Sequence, residues 1–231
     1  MIKKDIVVLS SGSKIVYVLT QSEHIVIEVS PHVSATVCLY DTPSLNAHCP
    51  ITVIAGESAT VVVELLVMHA QNISISFDAE LYGVRANVVF KVWYALAEHQ
   101  IFSLKTQQSH QARWSQSDIV VKGMLNDQAT MKYHGLIHIQ EQASGTNAQQ
   151  SHTNIGLSNQ VTVVSVPSIE VLQNNVACYH ASAMGTFDQK HLLYLRSRGF
   201  DQDRAYQMLT YAFFEGLLED RIEEICAKIV R

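Results

Sequence analysis

His24-Ile25-Val26-Ile27-Glu28-Val29 places Ile25, Ile27 and Val29 on one face of an extended chain, and Gly135-Leu136-Ile137-His138-Ile139 repeats the pattern. A period of two marks a β-strand with one face buried. Working outward, short apolar segments recur at 6–9, 15–19, 36–40, 60–67, 73–77, 88–94, 119–121 and 161–166. Each has the length of a strand. Turn clusters separate them: Ser10-Ser11-Gly12, Asp41-Thr42-Pro43-Ser44 and Ala55-Gly56-Glu57-Ser58. No long helical pattern intervenes before about Leu172, so the reading is an all-β domain of many short strands.

Periodicity alone leaves sandwich, barrel and parallel β-helix open. Only ten glycines, irregularly spaced, argue against a left-handed hexapeptide β-helix. The tract Asn147-Ala148-Gln149-Gln150-Ser151-His152-Thr153-Asn154 favours a solenoid, because stacked rungs satisfy polar side chains in ladders. The alternative is an exposed polar loop.

After Gly185 the period changes. Thr186-Phe187-Asp188-Gln189 offers a capping box, with Asp188 as a competing N-cap. Gly199 stands where a C-cap belongs, and Asp201 can cap a second helix. Ala205, Met208, Leu209 and Ala212 mark one helical face, and Leu218, Ile222, Ile225 and Ile229 continue it. Gly216 weakens the middle and can divide the segment. The expected organisation is a β core over 1–186 and a small helical region over 187–231.

The 231 residues suffice for a sizeable core. Charged residues are only 16% and the net charge is −5, which argues against a broad nucleic-acid footprint. The uncharged stretch 142–169 is rich in Gln, Asn, Ser and Thr, so it is no membrane span. No leader is visible and none of the four cysteines forms a CxxC pair. The expectation is a cytoplasmic protein with reduced thiols.

Enzyme signatures are missing: there is no phosphate-binding glycine loop, no GxSxG elbow and no HExxH. Among eleven histidines, His134 and His138 are four apart, but on a strand they need not share a site. Cys178-Tyr179-His180 is more informative. Residues two apart on a strand face the same side, so a thiol and an imidazole project together as a soft ligand pair for iron or zinc. Two ligands are incomplete, so a partner chain would supply the rest. The competing reading is a buried cysteine beside a hydrogen-bonded histidine.

From His110 onward the chain resembles a known family in six ordered elements. Ser117-Asp118-Ile119-Val120-Val121-Lys122-Gly123-Met124-Leu125 is similar to its S-x-x-x-x-x-K-G-x-L element. The segment 134–139, with Ala143, Thr146, Ala148 and Gln149, is similar to a glycine-containing rung. Asn154-Ile155-Gly156-Leu157-Ser158 and Pro167-Ser168-Ile169-Glu170-Val171 follow. Then come Asn175-Val176-Ala177-Cys178-Tyr179-His180-Ala181 and Leu192-Leu193-Tyr194-Leu195-Arg196-Ser197-Arg198-Gly199-Phe200. These resemble the SufB/SufD family of iron–sulfur cluster assembly scaffolds, nearer SufD than SufB.

The resemblance implies a right-handed parallel β-helix with a small C-terminal helical region. It implies a non-enzymatic SufD-like scaffold that pairs with a SufB-like subunit or a second copy of itself. The helices would dock a SufC-like ABC ATPase, with Tyr194, Arg198, Phe200, Tyr206 and Phe213 as candidates for contact or core. His180 and Cys178 become candidate ligands of a transient iron–sulfur cluster or iron at a subunit interface; this chain would bind no nucleotide. Two departures stand out. Family members carry a long, partly helical N-terminal region, so the resemblance implies a form shortened there. Ala181-Ser182-Ala183 also replaces the family's Gly-Ala-Thr after the histidine. The alternatives are a carbohydrate-active β-helix enzyme, using carboxylates such as Glu80, Glu98, Asp118 and Asp127, or a purely structural solenoid.

Overall fold

A computed structural model describes residues 2–8, 11–20, 23–217 and 219–229. Leu9, Ser10 and Leu218, which enter the sequence patterns above, lie outside the described residues. The chain runs through strands β1 (Ile2–Val8), β2 (Ser13–Val18), β3 (Glu23–Val29), β4 (Ser34–Tyr40), β5 (His48–Ala55), β6 (Thr60–Val67) and β7 (Asn72–Leu81). It continues through β8 (Asn87–Leu96), β9 (Ile101–His110), β10 (Gln116–Leu125), β11 (Thr130–Ile139), β12 (Asn147–Gly156), β13 (Thr162–Val171) and β14 (Ala177–Gly185). Helices α1 (Gln189–Ser197), α2 (Gln202–Phe213) and α3 (Glu219–Ile229) follow.

Odd strands form one seven-stranded sheet and even strands another, each in sequence order. Every ladder is parallel, so Asn72 pairs Ile101, which pairs Thr130, which pairs Thr162. The chain therefore crosses between two faces at each corner and lays each strand on the one two earlier. This is the expected parallel β-helix. Corners are stitched by backbone bonds to the next rung, such as Arg85 N–H to the Arg113 carbonyl and Trp114 N–H to the Ser144 carbonyl.

Alternation explains the core. In β7 the inward Ile73, Ile75, Phe77, Ala79 and Leu81 are buried, and Phe77 stacks on Phe90 of the other sheet with ring centroids 3.7 Å apart. Full burial of one such side chain stabilises by roughly 1.5–3 kcal/mol. The apolar reading located β3, β4, β6 and β8 but passed over β5, β9, β12 and β14. The inward positions of β9 and β12 include Thr106, Gln108, His110, Gln150, His152 and Asn154, all buried. The tract at 147–154 is thus a strand facing the interior, not a loop.

Helix ends follow the capping rules. Asp188, not the Thr186 box, caps α1 and accepts from the Lys190 N–H at 2.8 Å; Asp201 accepts from the Arg204 N–H at 2.8 Å. Gly199 and Gly216 take the left-handed φ values of 94° and 92° that end α1 and separate α2 from α3. The helical region packs on the outer face of the even-stranded sheet. Phe187, Leu192, Ala205, Phe214, Ile222, Ile225, Cys226 and Ile229 meet Leu66, Met68, Trp93, Ala95 and Met124. The predicted α2 stripe is corrected in part: Ala205 and Leu209 pack inward, while Met208 and Ala212 are exposed, and Thr210, Tyr206 and Phe213 complete the buried side.

Candidate functional site

Toward β13 and β14 the solenoid interior turns polar. Tyr94, wholly buried, donates its hydroxyl to Asn154 Oδ1 and sits 3.1 Å from His152 Nε2. It reaches past the intervening rung because Gly123 lies there: a Cβ on Gly123 would sit 1.9 Å from the Tyr94 ring. Gly135 opens space for Gln150 in the same way. His110 is held between Ser115 Oγ at 2.8 Å and Ser117 Oγ at 2.7 Å, and Thr106 Oγ1 lies 3.0 Å from the Tyr133 hydroxyl. Burial pushes both His110 and His152 down to about 4, so both rings are neutral.

The tautomer of His152 follows from its neighbours. Asn154 offers its carbonyl oxygen to Tyr94, so its amide nitrogen faces His152 Nε2 at 3.0 Å and donates. Nε2 therefore accepts, and the proton resides on Nδ1, which donates to Ser165 Oγ at 3.1 Å. Ser165 also accepts from Ser182 Oγ at 2.9 Å. A chain of bonds thus runs from the sealed interior to the open end.

At that end, β14 carries the sequence candidates. Register pairs Cys178 with Ala148 and His180 with Gln150, both inward residues of β12. Cys178 and His180 therefore share the inner face of the last rung, as the spacing predicts. Cys178 is half-buried against Ile137, Ile139, Ala143 and Ala148, and burial raises its thiol pKa. His180 is exposed. Of the two adjacent glutamines, Gln149 points outward and Gln150 is the inward, buried residue. Among the described residues, no group of three or more His, Cys, Asp or Glu is placed to hold a metal. His134 and His138 lie on the outer face of β11, with Leu136 between them.

At this end, among the described residues, β13 and β14 each have a free edge, and the two edges differ. The Thr162 and Leu172 N–H groups bond to Ala129 and Ile139, on the β11 side. Alternation then turns the odd residues of β13 to the free edge, and Pro167, which has no N–H, stands among them. The Ala177 N–H bonds to Thr146, on the β12 side. Cys178, His180, Ser182 and Met184 therefore offer their backbone groups to the free edge of β14. Exposed Val164, Val166, Ile169, Tyr179 and Met184 surround this end.

On the helices, Tyr194 is 57% exposed and Phe200 37% exposed. The exposed Arg198 guanidinium lies 5.2 Å over the Tyr194 ring. Tyr206 and Phe213 are half-buried in the seam with the solenoid. The carboxylates are dispersed. Asp127 accepts from the Glu98 N–H at 2.9 Å at one corner, whereas Glu80 and Asp118 lie on strands of different sheets.

The fold is a parallel β-solenoid with a helical appendage. The family model for the SufBD core domain of the SUF system of iron–sulfur cluster assembly matches residues 25–213, and the chain belongs to that family. It is similar to the iron–sulfur cluster assembly protein SufD of Escherichia coli, 22% identical over 84% of this chain and 46% of that protein. It is 29% identical to an iron–sulfur cluster assembly SufBD family protein of Mycobacterium leprae, over 62% of this chain and 41% of that protein. It is 25% identical to SufB of Bacillus subtilis, over 53% of this chain and 26% of that protein. The chain spans less than half the length of these relatives. Among the described residues, no helix is long and apolar enough to cross a membrane.

Proposed function

We propose that this chain is a SufD-like, non-enzymatic scaffold subunit of a cytoplasmic iron–sulfur cluster assembly complex. Its β-solenoid, residues 1–186, pairs through the open end with a SufB-like subunit or a second copy of itself. Its helical region, residues 187–231, docks a SufC-like ABC ATPase through the surface of Tyr194, Arg198 and Phe200; Tyr206 and Phe213 seat that region. The chain itself binds no nucleotide.

One observation carries the reading: Cys178 and His180 share the inner face of a terminal strand whose backbone edge is free. A neutral imidazole ligates iron; a cysteine of the partner completes the set around a transient cluster or iron, the cargo of the complex. The raised thiol pKa of Cys178 disfavours its thiolate, so His180 has the larger role.

The test is iron and sulfide content of the co-expressed complex. His180→Ala lowers it with an unchanged melting curve, and Cys178→Ser lowers it less. Unchanged cluster content in His180→Ala removes the ligand role.

A further inference from the structure

The bond between Ser182 and Ser165 joins the two sheets across the last rung. Ser182 belongs to β14 and Ser165 to β13, which lie in different sheets and do not pair with each other. At 2.9 Å their hydroxyls close the solenoid mouth. Ser182 is exposed, but the acceptor it uses is held from below by His152, which is 1% exposed. Ser182 is also the register partner of His152, one rung on.

His152 cannot turn away from this contact. Its Nε2 is committed to Asn154, and its ring packs against Tyr133 with centroids 4.7 Å apart. Its Nδ1–H therefore has one direction, toward Ser165. The result is a fixed donor, a shared acceptor and a surface hydroxyl in series. His180 stands two residues before Ser182 on the same face of β14.

We propose that His152 is a positioning residue of the assembly site: through Ser165 and Ser182 it latches β14 across the mouth and so fixes where the His180 ring is presented. This rests on the reading of His180 as a ligand. The latch acts on presentation, not on ligation, since His152 is sealed inside the solenoid.

Two measurements test it. In the isolated chain, Ser165→Ala and Ser182→Ala raise amide hydrogen exchange at Tyr179, Ala181 and Ala183 by about tenfold, while β8 and β10 stay protected. In the co-expressed complex, the same variants lower iron and sulfide content by about threefold or more at an unchanged melting midpoint. His152→Asn keeps a donor near the Nδ1 position and retains cluster content; His152→Gln reaches toward Asn154 instead and loses it.

Unchanged exchange in both serine variants overturns the latch. Faster exchange with full cluster content, when His180→Ala does lower it, overturns the positioning role. Cluster loss that only tracks a lowered midpoint, with no rescue by His152→Asn, reduces His152 to a core residue and overturns the proposal. If His180→Ala itself has no effect, the assembly reading fails and the role of His152 at that site fails with it; faster exchange then still establishes the latch.

Discussion

Lys122 donates from Nζ to the main-chain carbonyl of Phe213, 3.2 Å away, joining β10 to the C-terminal end of α2. The last carbonyls of a helix lack partners within it and carry partial negative charge. A lysine from the solenoid satisfies one of them. This gives a physical reason for the lysine in the Lys122-Gly123 element: Gly123 admits Tyr94 inside, and Lys122 holds the helices outside.

Lys122→Met should therefore loosen the helical region without disturbing the interior. A hydrogen bond to a charged group contributes about 1.5–3 kcal/mol, and partial exposure here lowers the expectation to about 1 kcal/mol. Amide exchange in α2 and α3 should rise while that of β8 and β12 stays constant. Equal protection in Lys122→Met and the parent protein would show that the lysine does not seat the helices.

The legible part of this fold was its apolar half. Ile25, Ile27 and Val29 announce a buried strand face because the interior there is hydrocarbon. Strand β9 hid itself because Thr106, Gln108 and His110 face inward and are satisfied by hydroxyls and amides rather than by hydrocarbon. His110 finds Ser115 and Ser117 just past the corner, but Thr106 and Gln108 also reach Tyr133 and Gln150 on other rungs, and Tyr94 finds Asn154 sixty residues away, which an apolar period does not register. The spacing of Cys178 and His180 was readable because strand parity is local. The free edge beside them was not, because it depends on which strand ends the stack. Met208 was misassigned for a similar reason: the buried side of α2 is chosen by Trp93 and Met124, not by α2 alone.

Acid should destabilise the solenoid in a defined window. His110 and His152 are both held near 4, below the ordinary 6.5, mainly by burial. Between those values the unfolded chain binds protons that the folded chain refuses. The contribution is complete above 6.5 and is lost as pH falls toward 4, by up to about 3 kcal/mol for each ring. Urea midpoints measured from pH 7.5 to 4.5 should fall with this dependence. His110→Asn should lower stability at neutral pH and flatten the slope; an unchanged slope would assign the acid response to other groups.

The exposed helical surface should separate docking from folding. Tyr194 and Arg198 stack on each other in the open, so Tyr194→Ala with Arg198→Ala should shift stability by only about 0.5 kcal/mol. Aromatic and arginine anchors at a docking surface carry about 2 kcal/mol or more each. Capture of a SufC-like ATPase by the double variant should therefore drop by at least about tenfold. Full retention would place the docking surface elsewhere on the chain.

The two free edges at the β13–β14 end make opposite predictions for pairing. Strand pairing needs a run of backbone donors, and an unprotected edge invites it. Pro167 removes a donor from the middle of the β13 edge, whereas β14 offers four N–H groups and has no charged side chain between Ala177 and Gly185. Pairing should therefore run through β14. Met184→Pro deletes an edge donor without touching a bond to β12, and its side chain is 53% exposed, so the solenoid should remain folded. Association with a SufB-like subunit, or with a second copy, should weaken by about tenfold, as read by sedimentation of the purified chain and by co-purification. Pro167→Ala restores a donor on β13 and should leave that association intact while raising nonspecific self-association. If Met184→Pro pairs as tightly as the parent while Pro167→Ala changes the partner affinity, the working edge is β13 and the assignment is reversed.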